Sequence, residues 1–234
     1  MGTVTGGSGQ QLETLIQEFK SFSTTLISDA MGRTGCMRDI TPLYRAARIL
    51  GQAYTVRCHP NDNLIVHYAV KYARPGEVLV IATSGHTGSS PWGELLSLSA
   101  KQRGLTGAVL DGCSRDRAQI EAMGFPVFAR AVIPQGTFKQ CAGSVNIPVS
   151  CAGVAVCPGD IIVGDDDGVV VVPRQSVEEV LRLTRQAAEK EQEIRRRILN
   201  GEVMYDFLKL DEVLKKSGAV TLGPERDGDK SGGY

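Results

Sequence analysis

The sequence predicts an α/β protein, and three observations lead to this prediction. Between residues 77 and 130, short continuous apolar runs alternate with segments of helical periodicity. Such an alternation is typical of parallel strands that are joined by crossover helices. From residue 143 the chain shows short β-type runs separated by Pro-Gly-Asp and Asp-Gly turns, and after Pro173 it continues as one long helical stretch.

The first third of the chain is predicted to hold two short helices, a strand and a third helix. Helical periodicity over residues 12–33 is interrupted near Ser23-Thr24, which separates the two helices. Residues 53–60 alternate in the manner of a strand. Residues 62–73 return to helical spacing, and Asp62-Asn63 are the expected N-cap pair, with some prospect of lining a pocket.

The central region is predicted to run strand–helix–strand–helix–strand. The first helix is expected to begin at the Ser-Pro before Trp92 and to end at Gly104, and the second is expected to end at Gly124. Strands that alternate with helices in this way lie parallel in one sheet. The three strands are expected at residues 77–83, 106–112 and 125–130.

The domain organisation is predicted from the lack of internal repeats and of a clear linker. Residues 11–222 are expected to form a single domain that includes a C-terminal helical extension. The Gly- and Ser-rich residues 1–10 and residues 223–234 are expected to be flexible.

Composition and charge exclude several classes of partner. Lys plus Arg and Asp plus Glu both total 26, so no net charge favours nucleic acid or an anionic membrane. With neither a secretory signal nor an apolar run of membrane-spanning length, a soluble, cytoplasmic protein is expected. The cysteines show no CxxC spacing and are expected to be reduced and buried; they are residues 36, 58, 113, 141, 151 and 157.

Two strand-to-helix junctions form the candidate site, SSPWGELL (89–96) and DGCSRD (111–116). Ligands bind in such sheets where strand C-termini meet helix N-termini, because free backbone N–H groups lie there. If the junctions are adjacent, amides of residues 93–96 and the Arg115 guanidinium suit a carboxylate. The nearby carboxylates suit a hard divalent cation, Mg²⁺ or Mn²⁺; they are those of Glu94, Asp111 and Asp116.

A purely structural interpretation of the Arg115-Asp116 pair remains open at this point. An acidic residue in the first turn of a helix is favoured by the helix dipole alone, and its neighbour can be a surface ion-pair partner. Lysine is not expected in the site, since Lys101 and Lys139 lie away from both junction motifs. The candidate chemistry is therefore metal and anion binding without a Schiff-base lysine.

Three further motifs receive structural interpretations. The glycines of residues 104–112 precede and end a strand instead of opening a helix, so they do not form a dinucleotide site. The triplet Asp165–Asp167 is expected to form a hairpin turn and not a calcium loop. Of the three histidines, His67 is expected to be a packed or surface residue of a helix, and only His86 lies in a loop beside the site; the third is His59.

The long C-terminal helix contains one anomaly. Glu191 interrupts an apolar stripe formed by residues 177, 181, 184, 188, 194 and 198. A carboxylate at a core-facing position is costly unless another group pairs with it. Either the stripe ends on an overhanging helix, or the helix reaches a neighbouring subunit and brings Glu191 to a metal there.

Taken together, these motifs resemble the RraA-like superfamily. They are GELL at 93–96, the pattern A-x-x-x-G-x-x-G-x-V-x-D-G-x-x-R-D over 100–116, GFPVFAR at 124–130 and PGD…DDDGVVVVP over 158–173. Within the superfamily the chain is similar to divalent-metal (class II) pyruvate aldolases that cleave 4-hydroxy-4-methyl-2-oxoglutarate and 4-carboxy-4-hydroxy-2-oxoadipate. The resemblance spans roughly residues 15–200. It implies a β/β/α swivelling-type fold that assembles as a homotrimer or homohexamer.

The resemblance also implies roles for individual residues. The amides of Gly93, Glu94, Leu95 and Leu96 would hold the pyruvyl carboxylate, and Arg115 would contact the keto oxygen. Asp116 would bind Mg²⁺ or Mn²⁺ directly, and Glu94 would hold metal-bound waters that transfer protons. Glu191 of an adjacent subunit would act through water, with Glu189 or Glu193 as substitutes.

The same chemistry implies a side activity and leaves alternatives. Oxaloacetate decarboxylation passes through the same pyruvate enolate, so it is expected as well. A non-catalytic regulator of a ribonuclease is the main alternative, although such regulators in the superfamily lack the Asp that follows Arg115 here. A lyase for another 2-keto acid is also compatible. A menaquinone methyltransferase is not supported, since no Gly-rich loop opens a helix.

Overall fold

A computed structural model describes residues 7–218 of the chain. The eight α-helices of this described part are α1 Gly7–Glu18, α2 Thr24–Ala30, α3 Leu64–Tyr72, α4 Glu94–Gln102, α5 Arg117–Met123, α6 Val177–Leu199, α7 Met204–Phe207 and α8 Leu210–Ser217. Short 3₁₀ turns lie at Phe19–Ser21 and Arg174–Ser176. The predicted break between the first two helices is confirmed, since Ser23 caps α2 through a side-chain bond to the Leu26 N–H. Helix α1 begins within the predicted flexible lead-in, while residues 1–6 and the tail 223–234 lie outside the described residues.

The strands of the described part form one large sheet and two small ribbons. They are β1 Thr41–Pro42, β2 Ile49–Arg57, β3 Glu77–Ala82, β4 Gly107–Leu110, β5 Cys113–Ser114, β6 Val127–Ala129, β7 Ala131–Val132, β8 Ser144–Val145, β9 Val149–Cys151, β10 Val154–Val156, β11 Ile161–Asp165 and β12 Gly168–Val172. The order in the large sheet is β1-β6-β4-β3-β2-β11-β12, and β8 also pairs with β2.

The predicted parallel region is confirmed. Strands β2, β3, β4 and β6 are parallel neighbours, whereas β1, β8, β11 and β12 pair antiparallel. Helices α3, α4 and α5 are the connections between these parallel strands. The carboxyl ends of β3, β4 and β6 therefore lie at the same edge of the sheet, which is where the two junctions were expected to meet.

The core lies on both faces of the large sheet. On one face, α3, α4 and α5 pack against the sheet, and this cluster includes the fully buried Trp92 before α4, Leu110 of β4 and Ile120 of α5. On the other face, buried residues of β9, β10 and the start of β12 cover β3 and β4. A third cluster joins α1, α2 and the beginning of α6 to β11 and β12. Continuous burial along β3 and β4 explains why both strands are apolar throughout.

Two local predictions have clear outcomes in the fold. The Asp triplet is a hairpin turn, as predicted, because Asp165 pairs with Gly168 across the β11–β12 hairpin. The predicted start of α4 at the Ser-Pro pair is wrong: the helix begins at Glu94. Residues 90–92 stay outside the helix, where Trp92 forms a bridge with Ser114.

The chain divides into two compact units, Met1–Ala188 and Glu189–Tyr234. Helix α6 runs from the first unit into the second. Val177, Leu181 and Thr184 of its apolar stripe are buried, whereas Ile198 is exposed. The second unit contains the end of α6 with α7 and α8, and in it Arg197 lies over the Phe207 ring at 4.0 Å.

The prediction that the cysteines are reduced and buried holds for their redox state and for only some of them as regards burial. All six are free thiols. Only Cys58, Cys113 and Cys151 are buried, while Cys36 and Cys157 are exposed. Within residues 7–218, no helix combines the length and the apolar content needed to cross a bilayer.

Candidate active site

The two predicted junctions are adjacent. Trp92 and Ser114 form an isolated parallel bridge, and the Arg115 N–H donates to the Trp92 carbonyl at 3.0 Å. The Ser90 hydroxyl donates to the same carbonyl at 2.7 Å. The indole N–H of Trp92 donates to Ser97 Oγ at 2.7 Å, which fixes the extended segment to α4. The start of α4 and the residues that follow β5 are therefore held side by side.

Asp116 has an unusual backbone conformation. Its φ is +59°, in the left-handed region that a non-glycine residue occupies at a cost unless its surroundings hold it there. It stands at the N-cap position of α5, yet its carboxylate makes no capping bond to that helix. Instead, Oδ2 accepts the backbone N–H of Glu94 at 3.0 Å and lies 3.5 Å from Arg115 Nε. The carboxylate thus leaves its own helix uncapped and accepts the first N–H of α4 instead.

Gly93 makes this arrangement possible. A Cβ atom at this position would lie 2.5 Å from Asp116 Oδ2, 3.0 Å from Arg115 Cγ and 3.1 Å from Arg115 Nε. The φ of Gly93 is −164°, so extended backbone is not the reason for the glycine. The requirement is space: both charged side chains approach the backbone too closely for any other residue.

The amides at the start of α4 are only partly free. The Glu94 N–H is bound by Asp116, so it is not available to a ligand in this arrangement. Within the described chain, the N–H groups of Leu95 and Leu96 have no hydrogen-bond partner. Both residues line a cleft of about 140 Å³ together with Arg115 and Asp116. Two main-chain donors and a guanidinium therefore face one small cleft, which suits a carboxylate.

Two further basic side chains line the cleft. The expectation that Lys139 lies away from the site is wrong, whereas His67 is an exposed residue of α3, as expected, and lines the cleft in addition. Burial lowers the pKa of His67 from its ordinary value, and the positive charge of Lys139 lowers that pKa further. Asn63 was predicted as part of a helix cap with some prospect of lining a pocket; it lines the cleft and makes no capping bond.

A buried carboxylate outside the cleft brings Lys139 to it. Asp62 accepts the backbone N–H groups of Leu64 at 2.8 Å, Gln140 at 2.6 Å and Cys141 at 3.0 Å. The residues that we call the 137–141 loop are thereby fixed to the start of α3. Burial disfavours the charged carboxylate, but the three N–H donors together outweigh this effect and lower the pKa of Asp62.

The other predicted site residues lie in different settings. Asp111 is buried and its Oδ1 accepts the N–H and hydroxyl of Thr83, at 2.5 Å and 3.0 Å, so it holds the ends of β3 and β4 together. Neither Asp111 nor His86 lines the cleft. Glu94 is half-buried at the start of α4. Glu191 lies in the second unit, where it is exposed and 3.5 Å from Arg195.

The family model described as "RraA-like: Aldolase/RraA" matches residues 24–171, which include both junctions and every residue of the cleft described above. The chain belongs to the RraA-like family. This match confirms the resemblance that the motifs indicated, together with the α/β fold class and the long C-terminal helix that follows the matched region.

Relatives of this RraA-like protein differ in the functions that their names give. A protein of Halalkalibacterium halodurans, provisionally named a 4-hydroxy-4-methyl-2-oxoglutarate aldolase, is 38% identical over 86% of this chain and 96% of its own length. A crystal structure of an uncharacterized protein from Pseudomonas syringae covers 83% of this chain and 96% of that one, with TM-score 0.75 and 28% identity. The RNA-processing inhibitor RraA from Thermus thermophilis covers 65% and 93%, with TM-score 0.60 and 27% identity.

The carboxylates of the RraA-like site fit one mode of metal binding. Within residues 7–218, no three His, Cys, Asp or Glu side chains converge in a way that would hold a metal ion. The cleft offers one carboxylate, that of Asp116. Glu94 donates its backbone N–H to this carboxylate, but Glu94 is not among the residues that line the cleft. Mg²⁺ is commonly held by one or two carboxylates together with waters and an anionic substrate. A site with so few protein donors therefore suits Mg²⁺ or Mn²⁺, and it does not suit a metal whose ligands all come from the protein.

Proposed function

We propose that this RraA-like protein is a divalent-metal-dependent (class II) pyruvate aldolase. Its proposed substrates are 4-hydroxy-2-oxo di- and tricarboxylic acids such as 4-hydroxy-4-methyl-2-oxoglutarate and 4-carboxy-4-hydroxy-2-oxoadipate. A lyase or aldolase activity is supported by relatives whose names give it. The metal, the substrates and the accompanying oxaloacetate decarboxylase activity are proposals that rest on the cleft.

The observation that supports the proposal is the joint position of Arg115 and Asp116. The two side chains lie beside the free amides of Leu95 and Leu96 in one cleft. Asp116 keeps a costly left-handed conformation there without capping its helix. Residues held in the left-handed region by their surroundings are frequent at functional sites, and here the conformation directs the Asp116 carboxylate to the start of α4 at the edge of the cleft. A surface ion pair would need neither that strain nor the glycine that makes room for it at position 93.

Each group has a part in the proposed reaction. The Leu95 and Leu96 N–H groups bind the carboxylate of the pyruvyl end, and the Arg115 guanidinium donates to its keto oxygen. When the C3–C4 bond breaks, its electron pair passes to that oxygen as an enolate, and the C4 hydroxyl becomes a carbonyl after losing its proton. A divalent ion held by Asp116 would supply further electrostatic stabilisation of the enolate charge.

Two proton transfers complete the reaction. A base must take the proton of the C4 hydroxyl, and an acid must return a proton to C3 of the enolate to give pyruvate. We assign both transfers to water that Glu94 orients, because the backbone N–H of Glu94 donates to the Asp116 carboxylate at 3.0 Å and so places Glu94 next to the candidate metal ligand. In oxaloacetate the same bond breaks with release of carbon dioxide, so Arg115 would stabilise the same enolate.

We further propose that the protein works as a homotrimer or homohexamer. In such an assembly Glu191 of one chain would serve the cleft of its neighbour. Glu191 and Glu193 are equally exposed, but Glu191 is held more loosely, 3.5 Å from Arg195, than its possible substitute Glu193, which is 2.7 Å from Arg196. Glu189, the other possible substitute, is also exposed.

A regulator of RNA processing is the second candidate function. Its support is the fold shared with the inhibitor from Thermus thermophilis, at TM-score 0.60. A binding function of this kind would make no demand on the amides of Leu95 and Leu96 or on the strained Asp116. A lyase for another 2-keto acid is a variant of the main proposal that differs only in the far end of the substrate.

One assay distinguishes these functions. Pyruvate release is measured from a panel of 4-hydroxy-2-oxo diacids and from oxaloacetate, after chelation and then with Mg²⁺ or Mn²⁺ restored. The expected result is turnover that chelation abolishes and metal restores. Turnover confined to a different 2-keto acid would support the variant lyase. The absence of pyruvate from every substrate with either metal would refute the aldolase proposal.

A further inference from the structure

We propose that Lys139 and His67 form a second anion subsite, which binds the carboxylate at the far end of the substrate beyond the bond that breaks. This inference deepens the proposed function, on which it rests, by assigning the residues that select dicarboxylic over monocarboxylic 2-oxo acids. Neither residue belongs to the junction motifs, and the two reach the cleft from different elements, α3 and the 137–141 loop.

The first argument is an excess of positive charge. Three basic side chains line the cleft, those of His67, Arg115 and Lys139, against the single carboxylate of Asp116. That carboxylate is already engaged by Arg115 and by a backbone N–H. Within the described residues, Lys139 makes no salt bridge and His67 makes no side-chain hydrogen bond. Basic groups placed together without a counter-ion are typical of a site that receives an anion.

The second argument is the mutual effect of the two basic groups. The charge of Lys139 lowers the pKa of His67, in addition to the lowering by burial. The charge of Lys139 thus disfavours the protonated imidazole of His67, and an anion bound between the two groups would favour it again. The charged groups near His67 comprise Lys71 on its own helix, Arg115 and Asp116 after β5, and Lys139 on the loop.

The third argument is a buried hydroxyl without a partner in the same cleft. The hydroxyl of Thr137 forms no hydrogen bond within the described residues. The neighbouring Asn63 donates its amide nitrogen to the Pro91 carbonyl at 3.1 Å, and its unpartnered Oδ1 is an acceptor that takes no part in binding an anion. A carboxylate would accept the Thr137 hydroxyl after the small side-chain adjustment that ligands commonly induce.

The position of Lys139 is built into the fold. Phe138 bridges Asp62, its N–H donates to the Asn61 carbonyl at 3.0 Å, and its carbonyl accepts the Asn63 N–H at 3.0 Å. The backbone on both sides of Lys139 is therefore fixed to the start of α3. At the other end of the loop, Gly136 approaches Arg115 so closely that a Cβ there would lie 2.9 Å from Nη1. The loop cannot carry Lys139 away without releasing these contacts.

The functional test compares two substrates that differ in the far carboxylate. They are 4-hydroxy-4-methyl-2-oxoglutarate, which has it, and 4-hydroxy-2-oxopentanoate, which ends in a methyl group. Lys139→Met is expected to lower kcat/KM for the diacid about tenfold or more, chiefly through KM, and to change the value for the monoacid less than about twofold. His67→Gln should act in the same direction. Lys71→Met, which removes a lysine of α3 outside the cleft, is the matched control and should change neither value.

A binding test separates this inference from the proposed function. Calorimetry in the presence of Mg²⁺ compares 2-oxoglutarate with 2-oxopentanoate, two 2-oxo acids that lack the C4 hydroxyl and so cannot undergo the retro-aldol reaction. Wild-type protein is expected to prefer 2-oxoglutarate about tenfold, and Lys139→Met should remove this preference. If wild-type protein shows the preference but cleaves no hydroxy acid, the aldolase proposal fails and the subsite stands. Equal affinities in wild type, or a preference that survives both Lys139→Met and His67→Gln, would overturn the subsite.

Discussion

At the scale of single residues, the molecule uses Asp116 in a way that stability does not explain. The left-handed conformation costs free energy, and the side chain gives up the capping position of its own helix. Its carboxylate oxygen Oδ2 instead accepts the N–H of Glu94 at the start of α4. Asparagine tolerates the left-handed region as well as aspartate does, so charge and conformation can be separated at this position.

Asp116→Asn is expected to abolish metal-dependent pyruvate release while preserving the fold. The asparagine Oδ1 can still accept the Glu94 N–H, but the charge that would hold a divalent ion is lost. Turnover should fall roughly 100-fold or more, with Tm changed by only a few degrees. Steady-state kinetics and thermal unfolding check this on one preparation. Undiminished turnover at saturating Mg²⁺ would contradict the metal-binding role.

The predictability of the site differs from residue to residue. Arg115 and Asp116 could be found because both belong to a local motif at the end of a buried strand. Lys139 and His67 could not be found from a motif, since they meet the site only through contacts that link residue 62 with residues 140 and 141. A signal did exist: the 137–141 loop follows β6 and β7, and the parallel strand β6 ends at the same edge as β3 and β4.

At the scale of elements, the junction between α3 and the 137–141 loop depends on one buried charge. The pKa of Asp62 is lowered from its ordinary value of 3.8, since three N–H donors outweigh the effect of burial. A carboxylate whose pKa is lowered by folding contributes stability above its unfolded pKa, and this contribution is lost as the pH falls through the folded pKa.

Asp62→Asn should therefore destabilise the protein at pH 7 and much less in acid. The amide lacks the charge and presents an NH₂ group to backbone donors, so Tm at pH 7 is expected to fall by about 5 °C. As the pH falls below 3.8 and through the lowered pKa of the folded state, the wild-type carboxylate becomes protonated, and the two unfolding curves should converge. Thermal unfolding across this pH range checks the sign. A Tm difference that is constant with pH would show that the charge of Asp62 is not what holds the loop.

At some element boundaries, tertiary contacts override the local sequence preference. Ser before Pro91 has the local signature of a helix start, yet α4 begins three residues after that proline. The bridge between Trp92 and Ser114, together with the bond from the Arg115 N–H, keeps the intervening residues outside the helix. The alternation of strands and helices was predictable because it depends on continuous apolar runs, which are a property of the sequence alone.

At the scale of the whole molecule, the proposed assembly makes a specific prediction about mixed oligomers. If Glu191 serves the cleft of an adjacent subunit, Glu191→Gln and Asp116→Asn chains are each inactive alone but complement each other when co-expressed. Random mixing leaves about a quarter of the sites with both carboxylates, so activity should recover to about a quarter of the wild-type value. Co-purification through two affinity tags, followed by the pyruvate assay, measures this recovery.

The neighbouring glutamates provide the control for that experiment. Glu189 lies one-half turn before Glu191 on α6, and Glu193 lies on the same helix 2.7 Å from Arg196. Substituting each of them tests whether another carboxylate of α6 can take the place of Glu191 in the site. Glu189→Gln and Glu193→Gln should keep activity if Glu191 is the residue used. Full activity of the Glu191→Gln chain alone would rule out its part in the site, and a strictly monomeric protein in solution would rule out the assembly.

The hydrogen bond from the Glu94 amide to Asp116 has an implication for how such proteins diverge. The chemistry proposed here depends on a carboxylate at the rim of the sheet, whereas the large apolar clusters lie beneath it and do not include that side chain. A lineage can thus replace this one acid and lose catalysis at little structural expense, leaving an intact scaffold free to be recruited for binding. An inhibitor of RNA processing with the same architecture is the kind of protein that such a replacement would allow.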